Sequence, residues 1–284
     1  MFEMLLVLAG AAVGVALLVA LGYGLAWAVL HGRRDGPGWE RLDGFRYAHR
    51  GLHGCGVPEN SLAAFRRAAE AGYGAELDVR LTKDGRLAVI HDATLDRVCG
   101  VSGRAAELTA AALSALRLEG TEERIPFLEE VAPLFAGRAP LIVELKTDWR
   151  SAAELARRTV ECLDRFSIDY CVESFDPRPL LWLRRHKRSV LRGQLSQNFH
   201  RRPSGQGLWN RLALTNLLYN VFTRPDFVAY RFGDQERLAV RLCRRSGVRM
   251  AYWTLRSWAD IILAEQEGAL VIFEEPDQLK EEPC

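Results

Sequence analysis

The sequence predicts an α/β protein, a (β/α)8 TIM barrel with a β-hairpin extension and a small insertion, preceded by one N-terminal transmembrane helix. Three observations predict this fold. Apolar strand-like segments alternate with helix signals, the region after the N-terminus has the size of one barrel domain, and the chain begins with a long uncharged run. We divide the 284 residues into a transmembrane helix at 1–31, a linker at 32–43 and a barrel domain at 44–284.

The N-terminal segment is long enough to cross a bilayer. Residues 4–30 contain no charged side chain, and about 20 apolar residues suffice for a span. A cleaved signal peptide is the alternative, but the residues before the run include Glu3 and no basic residue, and the run exceeds the usual length of such a signal. Because Arg33 and Arg34 follow it, the positive-inside rule predicts a single-pass membrane protein whose barrel domain lies in the cytoplasm.

Eight segments after the linker are predicted to be strands, because each is a short apolar run between turn or helix signals. They are 45–48, 75–79, 141–146, 170–175, 191–195, 226–230, 249–254 and 270–273. Helix signals separate the later strands. They are a capping box at 151–154, a cap and first-turn proline at 176–177, and helices bounded by Asp234 and Gly247 and by Ser257 and Gly268. Alternation of this kind favours a barrel of parallel strands.

A further apolar stretch at 87–91 predicts a hairpin. It follows the strand at 75–79 across a connection that is too short for a parallel crossover. If the turn centres on Asp84 and Gly85, His91 lies opposite Asp78. The hairpin thus brings a histidine back beside an acidic strand.

Two segments are predicted less directly. Residues 92–139 carry helix patterns at 109–116 and 127–135 and a small insertion. Residues 208–222 show apolar side chains near helical spacing, which predicts a helix packed on the barrel. A lipid-facing lid or a helix lying on the membrane is the alternative.

Charge and cysteine content limit the functional classes. The net charge is +2 and no nucleic-acid-binding motif is present, so we expect no nucleic-acid partner. Residues 177–211 contain nine Lys and Arg and no Asp or Glu, which fits either a solvated surface or contact with anionic lipid head groups. The six cysteines lack zinc-site spacing; free thiols suit a cytosolic domain, although an even number also permits disulfides. The oligomeric state is left open.

The polar residues of the predicted strands are expected to meet at one end of the barrel. Residues two apart on a strand share a face, so Glu76 and Asp78 point the same way, as do Glu144 and Lys146. With His49 they lie near the carboxyl ends of their strands, where barrel enzymes build their sites. Three carboxylates form an oxygen-rich ligand set that suits Mg²⁺ or Ca²⁺ better than zinc.

The remaining charged groups fit phosphodiester chemistry. Arg50 can grip a phosphate with its planar guanidinium, and Lys146 can supply a point charge. His49 and His91 can divide the work of general acid and general base, because the pKa of histidine lies near neutral pH. The sequence does not assign the two roles.

The ordered motifs resemble the glycerophosphodiester phosphodiesterase family. They are AHRG at 48–51, PENS with its following AF at 58–65, ELDVRLTKDG at 76–85, VIHD at 89–92, VELK at 143–146, SFDP at 174–177 and YWT at 252–254. The resemblance implies a metal-dependent hydrolase that cleaves glycerophosphodiesters to glycerol 3-phosphate and an alcohol in phospholipid metabolism. It implies His49 and His91 as the acid–base pair, and Arg50 and Lys146 near the phosphate. It implies Glu76, Asp78 and Glu144 as metal ligands, and Trp253 on the glycerol side.

Two departures from the family pattern leave the substrate open. Arg256 replaces the usual Asn after the WT motif, and the closing Thr-Asp-x-Pro appears as FEEP at 273–276. The main alternative is a lysophospholipase D that cuts the same bond in membrane lysophospholipids. An alternative of another class is a non-catalytic barrel that binds phospholipid.

Overall fold

The computed structural model describes residues 2–33, 36, 38–148, 151–202, 205 and 207–274. Its strands are β1 Arg46–His49, β2 Gly74–Leu81, β3 Leu87–Val89, β4 Leu141–Leu145, β5 Tyr170–Ser174, β6 Leu191–Ser196, β7 Phe227–Arg231, β8 Arg249–Leu255 and β9 Leu270–Phe273. Its helices are α1 Phe2–Leu30, α2 Leu62–Glu70, α3 Asp96–Cys99, α4 Ala110–Ser114, α5 Leu128–Phe135, α6 Ala152–Leu163, α7 Pro177–His186, α8 Leu208–Thr215, α9 Asn220–Thr223, α10 Leu238–Arg245 and α11 Trp258–Gln266. Arg34, Asp35 and Pro37 of the predicted linker, and the end of the predicted domain after Glu274, lie outside the described residues.

Eight parallel strands of the described chain close into a barrel. The order runs β1, β2, β4, β5, β6, β7, β8 and β9, and β9 pairs again with β1. The added strand β3 lies antiparallel to the outer part of β2. All eight barrel strands coincide with predicted strands to within two residues at each end, so the predicted barrel is confirmed.

The alternation of side chains along β2 sets the position of the polar residues. Ala75, Leu77 and Val79 are fully buried in the apolar layer between the strands and the surrounding helices. Because neighbouring residues of a strand point to opposite faces, Glu76 and Asp78 point into the barrel. Burial of the apolar face therefore fixes the direction of the acidic one.

The hairpin forms, but its predicted register is wrong by one residue. The backbone N–H of Ile90, and not that of His91, donates to the carbonyl of Asp78, at 2.9 Å. The reason is the turn: three residues form the loop, and Gly85 closes it in the left-handed region at φ 78°. A three-residue loop of this type shifts the pairing by one position relative to a two-residue turn.

Helix starts confirm some of the capping predictions and contradict another. The Asp176 side chain accepts from the backbone of residue 178 at the start of α7, and Ser257 caps α11 in the same way. The predicted capping box at the start of α6 is wrong. The Ser151 hydroxyl instead donates to the carbonyl of Asp148, and Glu154 pairs with arginines one turn later in the helix.

Two helices differ from their predicted extents. Asp234 does not open α10, because its carboxylate accepts from the backbone of Asn198, and the helix starts four residues later. The single helix predicted at 208–222 is divided into α8 and α9. Leu217 lies between them in the left-handed region, at φ 57°, which ends the first helix.

The N-terminal helix projects from the barrel. The described residues hold one helix that is long and apolar enough to cross a membrane: Ala12–Leu30 of α1 has a mean hydropathy of 2.2, and 6% of this stretch is buried. Its C-terminal end docks on α9 and α10. Asn220 donates to the carbonyl of Leu30 at 3.2 Å, and Arg224 donates to the carbonyl of Ala28 at 2.7 Å.

Candidate active site

The strand register places the predicted site residues side by side. His49 is the register partner of Glu76, and Asp78 is the register partner of Glu144. Their side chains surround a cavity of about 360 Å³. The predicted residues that line it are His49, Arg50, Glu76, His91, Glu144, Lys146 and Trp253. Asp78, the remaining predicted residue, is buried beside Glu144 and Lys146.

Three buried carboxylates converge on one point. Glu76, Asp78 and Glu144 each offer an oxygen, and these oxygens lie within 4.8 Å of one another. Burial and the neighbouring carboxylates raise the pKa of Glu76 well above its ordinary value. Burial also raises the pKa of Glu144 to about 7, against the lowering effect of Lys146. The cluster therefore opposes the ionisation of Glu76 and Glu144, and a cation among these carboxylates would favour their charged forms.

Asp78 differs from its two partners because cations flank it. Burial alone would raise its pKa, but Lys146 and Arg50 hold the pKa well below the ordinary value. The ammonium of Lys146 lies 3.2 Å from Asp78 and 2.8 Å from Glu144, and the guanidinium of Arg50 lies 3.3 Å from Asp78. Both cations thus lie at the edge of the carboxylate cluster.

His49 lies between two carboxylates on opposite sides of its ring. Its Nε2 is 3.9 Å from Glu76, and its Nδ1 is 3.6 Å from Glu274. Burial lowers the pKa of His49, while the neighbouring Glu274 raises it. Glu274 directly follows β9 and also approaches His53, at 3.4 Å. It lies in the closing motif that departs from the family pattern, and the sequence prediction did not include it in the site.

His91 is held by the carboxylate of its sequence neighbour, Asp92. Its Nδ1 lies 2.8 Å from Asp92, and Arg97 binds the other oxygen of Asp92 at 2.5 Å. Burial lowers the pKa of His91 to about 4. Its backbone carbonyl accepts two hydrogen bonds from Arg80, at 2.7 and 3.0 Å. The ring is therefore fixed in place and uncharged near neutral pH.

The PENS segment supports the site from behind, which the sequence prediction missed. Glu59 accepts from Arg50 at 3.0 Å and from Arg97 at 2.6 Å. Asn60 donates to Asp78 at 3.0 Å and adopts a left-handed backbone at φ 53°. The available signal was a cluster of polar residues directly before the N-cap of α2, Ser61.

A tight turn after β1 positions Arg50 beside the carboxylate cluster. Arg50 has φ 56°, and its backbone N–H donates to Glu76 at 3.1 Å. The next residue, Gly51, also has positive φ, and a Cβ there would lie 2.9 Å from Ala64 of α2. Only glycine fits this close approach, so the turn and the helix that follows it are packed together.

Aromatic residues and a further acid complete the cavity wall. Trp253 meets Phe175 edge to face with ring centroids 5.8 Å apart. Among the described residues, the buried Nε1 of Trp253 and one oxygen of the buried Glu173 have no hydrogen-bond partner. Burial raises the pKa of Glu173 well above its ordinary value. Both of these polar atoms are buried within the cavity wall.

Comparison with known proteins identifies the family. The glycerophosphoryl diester phosphodiesterase family model matches residues 49–278. The chain belongs to this family. A glycerophosphodiester phosphodiesterase from Caldanaerobacter subterraneus is 29% identical over 246 residues, which cover 82% of this chain and 94% of that protein. Another from Bacillus altitudinis is 37% identical over 132 residues, covering 43% of this chain and 54% of that protein.

The fold comparison agrees with the sequence comparison. The solved structure of an Oleispira antarctica phosphodiesterase, determined in complex with the product sn-glycerol-3-phosphate, superposes with a TM-score of 0.67. It is 21% identical and covers 82% of this chain and 93% of its own. Membership of the phosphodiesterase family makes this chain an enzyme of the phosphoric diester hydrolase class. Its barrel is the family barrel, and its acidic cluster is a possible metal site of that barrel.

Proposed function

We propose that this protein hydrolyses glycerophosphodiesters to glycerol 3-phosphate and an alcohol, using a divalent metal and two histidines. The observation that carries the proposal is one cavity that joins a carboxylate cluster, two cations and both histidines. The bound product of the Oleispira antarctica protein supports the same choice of substrate.

The residues present fit a hard divalent cation. The donor set consists of three buried carboxylates whose oxygens lie close together. The pKa values of two of these carboxylates, Glu76 and Glu144, are raised by burial and by the neighbouring carboxylates. Oxygen-only donors of this kind suit Mg²⁺ or Ca²⁺. Glu76, Asp78 and Glu144 would hold the ion. When bound, it would polarise a phosphoryl oxygen and offset the charge that develops in the transition state.

Arg50 and Lys146 are proposed to hold the phosphate, and Trp253 the glycerol. Both cations are anchored by Asp78, so their positive ends are fixed before substrate arrives. Fixed donors avoid reorganisation during the reaction, which is how such groups lower a barrier. Trp253 lines the cavity and can pack against the glycerol.

His49 and His91 are proposed to divide the two proton transfers. One takes a proton from the attacking water or hydroxyl as its oxygen bonds to phosphorus. The other gives a proton to the alkoxide that leaves when the second P–O bond breaks. Each ring has a carboxylate near its Nδ1, Glu274 for His49 and Asp92 for His91, which leaves Nε2 of each ring for this work.

We further propose that α1 anchors the enzyme in a membrane as a single-pass protein with the barrel in the cytoplasm. The exposed apolar surface of Ala12–Leu30 supports the span. Arg33, which follows α1, supports the orientation. The barrel would then work beside the lipids whose breakdown products it cleaves.

The proposal is tested by measuring the products that the full chain in detergent releases from glycerophosphocholine. We expect glycerol 3-phosphate and choline in equal amounts, loss of activity in EDTA, and recovery with Mg²⁺ or Ca²⁺. His49→Ala and His91→Ala are expected to lower kcat by about 10²–10⁴-fold. His186→Ala is the matched control, because that ring lies on the exposed end of α7 and stacks on Trp182. Full activity in EDTA would overturn the metal site. Absence of turnover with every diester tried would favour a non-catalytic lipid-binding barrel.

A further inference from the structure

A large groove opens beside the catalytic cavity. Its volume is about 1120 Å³, roughly three times that of the cavity at about 360 Å³. Glu144, Lys146 and Phe175 line both, so the two spaces meet beside Phe175, whose ring contacts Trp253 of the cavity wall. Pockets of about 300–1,000 Å³ already enclose drug-sized molecules, so the groove exceeds what a short glycerophosphodiester needs.

The far part of the groove is apolar and exposed. It runs between α7 and the α8–α9 segment, whose contributions include Trp209, Leu212, Leu218 and Phe222. Trp209 is 81% exposed and Phe222 is 57% exposed. Exposed apolar side chains gathered along one groove are a candidate binding surface. The break at Leu217 turns the chain so that both short helices contribute to the wall.

The same wall is hydrogen-bonded to the C-terminal end of α1. Asn220, at the start of α9, binds the carbonyl of Leu30, and Arg224, directly after α9, binds the carbonyl of Ala28. The apolar wall of the groove and the apolar N-terminal helix are therefore parts of one packed unit. An occupant drawn from a bilayer would meet this wall beside the anchor.

We propose that the groove binds the single acyl chain of a lysophospholipid while its phosphodiester lies in the catalytic cavity. This inference rests on the proposed function and narrows its substrate class. Water would again add its oxygen to phosphorus, the bond from phosphorus to the head-group oxygen would break, and the head-group alcohol would leave with a proton. The other product keeps the acyl chain as lysophosphatidate. The groove has Lys146 at one end and apolar side chains at the other. These two ends favour an occupant that has a phosphate group and one hydrocarbon tail.

A chain-length series tests this inference. The full chain is assayed with glycerophosphocholine and with short-chain lysophosphatidylcholines kept below their micelle concentrations. We expect kcat/KM to rise by up to about fourfold for each methylene that enters the groove. Trp209→Ala and Phe222→Ala are expected to flatten this rise while turnover of glycerophosphocholine stays at the wild-type level, which also shows that the variants fold.

Leu238→Ala is the matched control, since that side chain is 71% exposed on α10 and does not line the groove. It should leave the chain-length dependence unchanged. A flat series with active turnover of glycerophosphocholine would overturn the groove inference alone, and so would a steep series that Trp209→Ala does not alter. In diesters of glycerol 3-phosphate with long-chain alkanols, the hydrocarbon tail is on the leaving alcohol instead. If kcat/KM rose with chain length for these diesters but not for lysophosphatidylcholines, the groove inference would also be overturned. Inactivity toward every substrate would refute the proposed function instead.

Discussion

Replacing Glu144 with Gln should make the metal-free protein more stable while abolishing its activity. Glu144 is buried beside Asp78 and close to Glu76, so its negative charge is unfavourable without a cation. Gln keeps the shape and can still accept from Lys146, but it removes the charge. The proposed metal site would lose one ligand, and the cluster would lose its repulsion.

The size of the effect follows from the pKa of Glu144. Burial raises this pKa from an ordinary value of 4.5 to about 7, and each pKa unit corresponds to about 1.36 kcal/mol. The folded protein therefore keeps its proton up to about pH 7, whereas the unfolded chain loses it near pH 4.5. The contribution of Glu144 to the stability of the metal-free wild type should fall by about 3 kcal/mol across this interval and then level off. The Glu144→Gln variant should lack this fall.

Denaturant unfolding of the full chain in detergent with EDTA, at pH 4.5 and pH 8, measures the difference. The variant is expected to exceed the wild type by about 3 kcal/mol at pH 8 and to match it at pH 4.5. Adding Mg²⁺ at 100 times its dissociation constant should stabilise the wild type by about 2.7 kcal/mol and the variant by less. Glu265→Gln serves as the control, because that carboxylate pairs with Arg46 away from the cluster. A variant less stable than the wild type at pH 8 in EDTA would refute the reasoning.

Other substitutions test the supports of the site and the core. Glu274→Gln should lower kcat about 10²-fold, because His49 loses the carboxylate beside its Nδ1; His53→Ala should stay near wild type in the same assay, and equal kcat for both variants would count against this role. Arg97→Met should lower kcat about tenfold, because it breaks the bridge between Glu59 and Asp92. Arg97→Lys should restore part of this loss. An unaltered kcat in Arg97→Met would contradict this supporting role. Phe65, a residue of α2, is fully buried; Phe65→Ala should lower the free energy of unfolding in urea by about 3–5 kcal/mol, and a loss far below that range would argue against the described packing.

The barrel could be predicted because its strands are buried on both faces. Runs such as 141–146 and 249–254 are apolar, short and bounded by clear helix signals, and tertiary packing agrees with them. Local signals failed where a long-range contact competed for the same side chain. Asp234 is the example: its carboxylate binds the backbone of Asn198, 36 positions away, and does not cap a helix.

The positions of the site residues on strands could be predicted from the sequence, but those of the site residues in loops could not. The period of two along β2 and β4 places Glu76, Asp78 and Glu144 on one face without further knowledge. Glu59, Asn60 and Glu274 follow no such period, because loops deliver them through left-handed backbone or a strand end. Their contacts with Arg50, Asp78 and His49 depend on barrel closure, which spacing in the sequence does not express.

If α1 anchors the enzyme in a membrane as proposed, its docking on α9 and α10 would determine how the enzyme meets its substrate. The helix end is held to the barrel at Arg33, which pairs with Asp226 at 2.5 Å and whose backbone N–H donates to the carbonyl of Pro225 at 2.8 Å. A barrel held in this way would drift through the plane of the bilayer together with its anchor, at one height and one tilt. Encounters would then depend on lateral diffusion of lipids toward a fixed opening, so the rate would follow the surface density of substrate and not its bulk concentration.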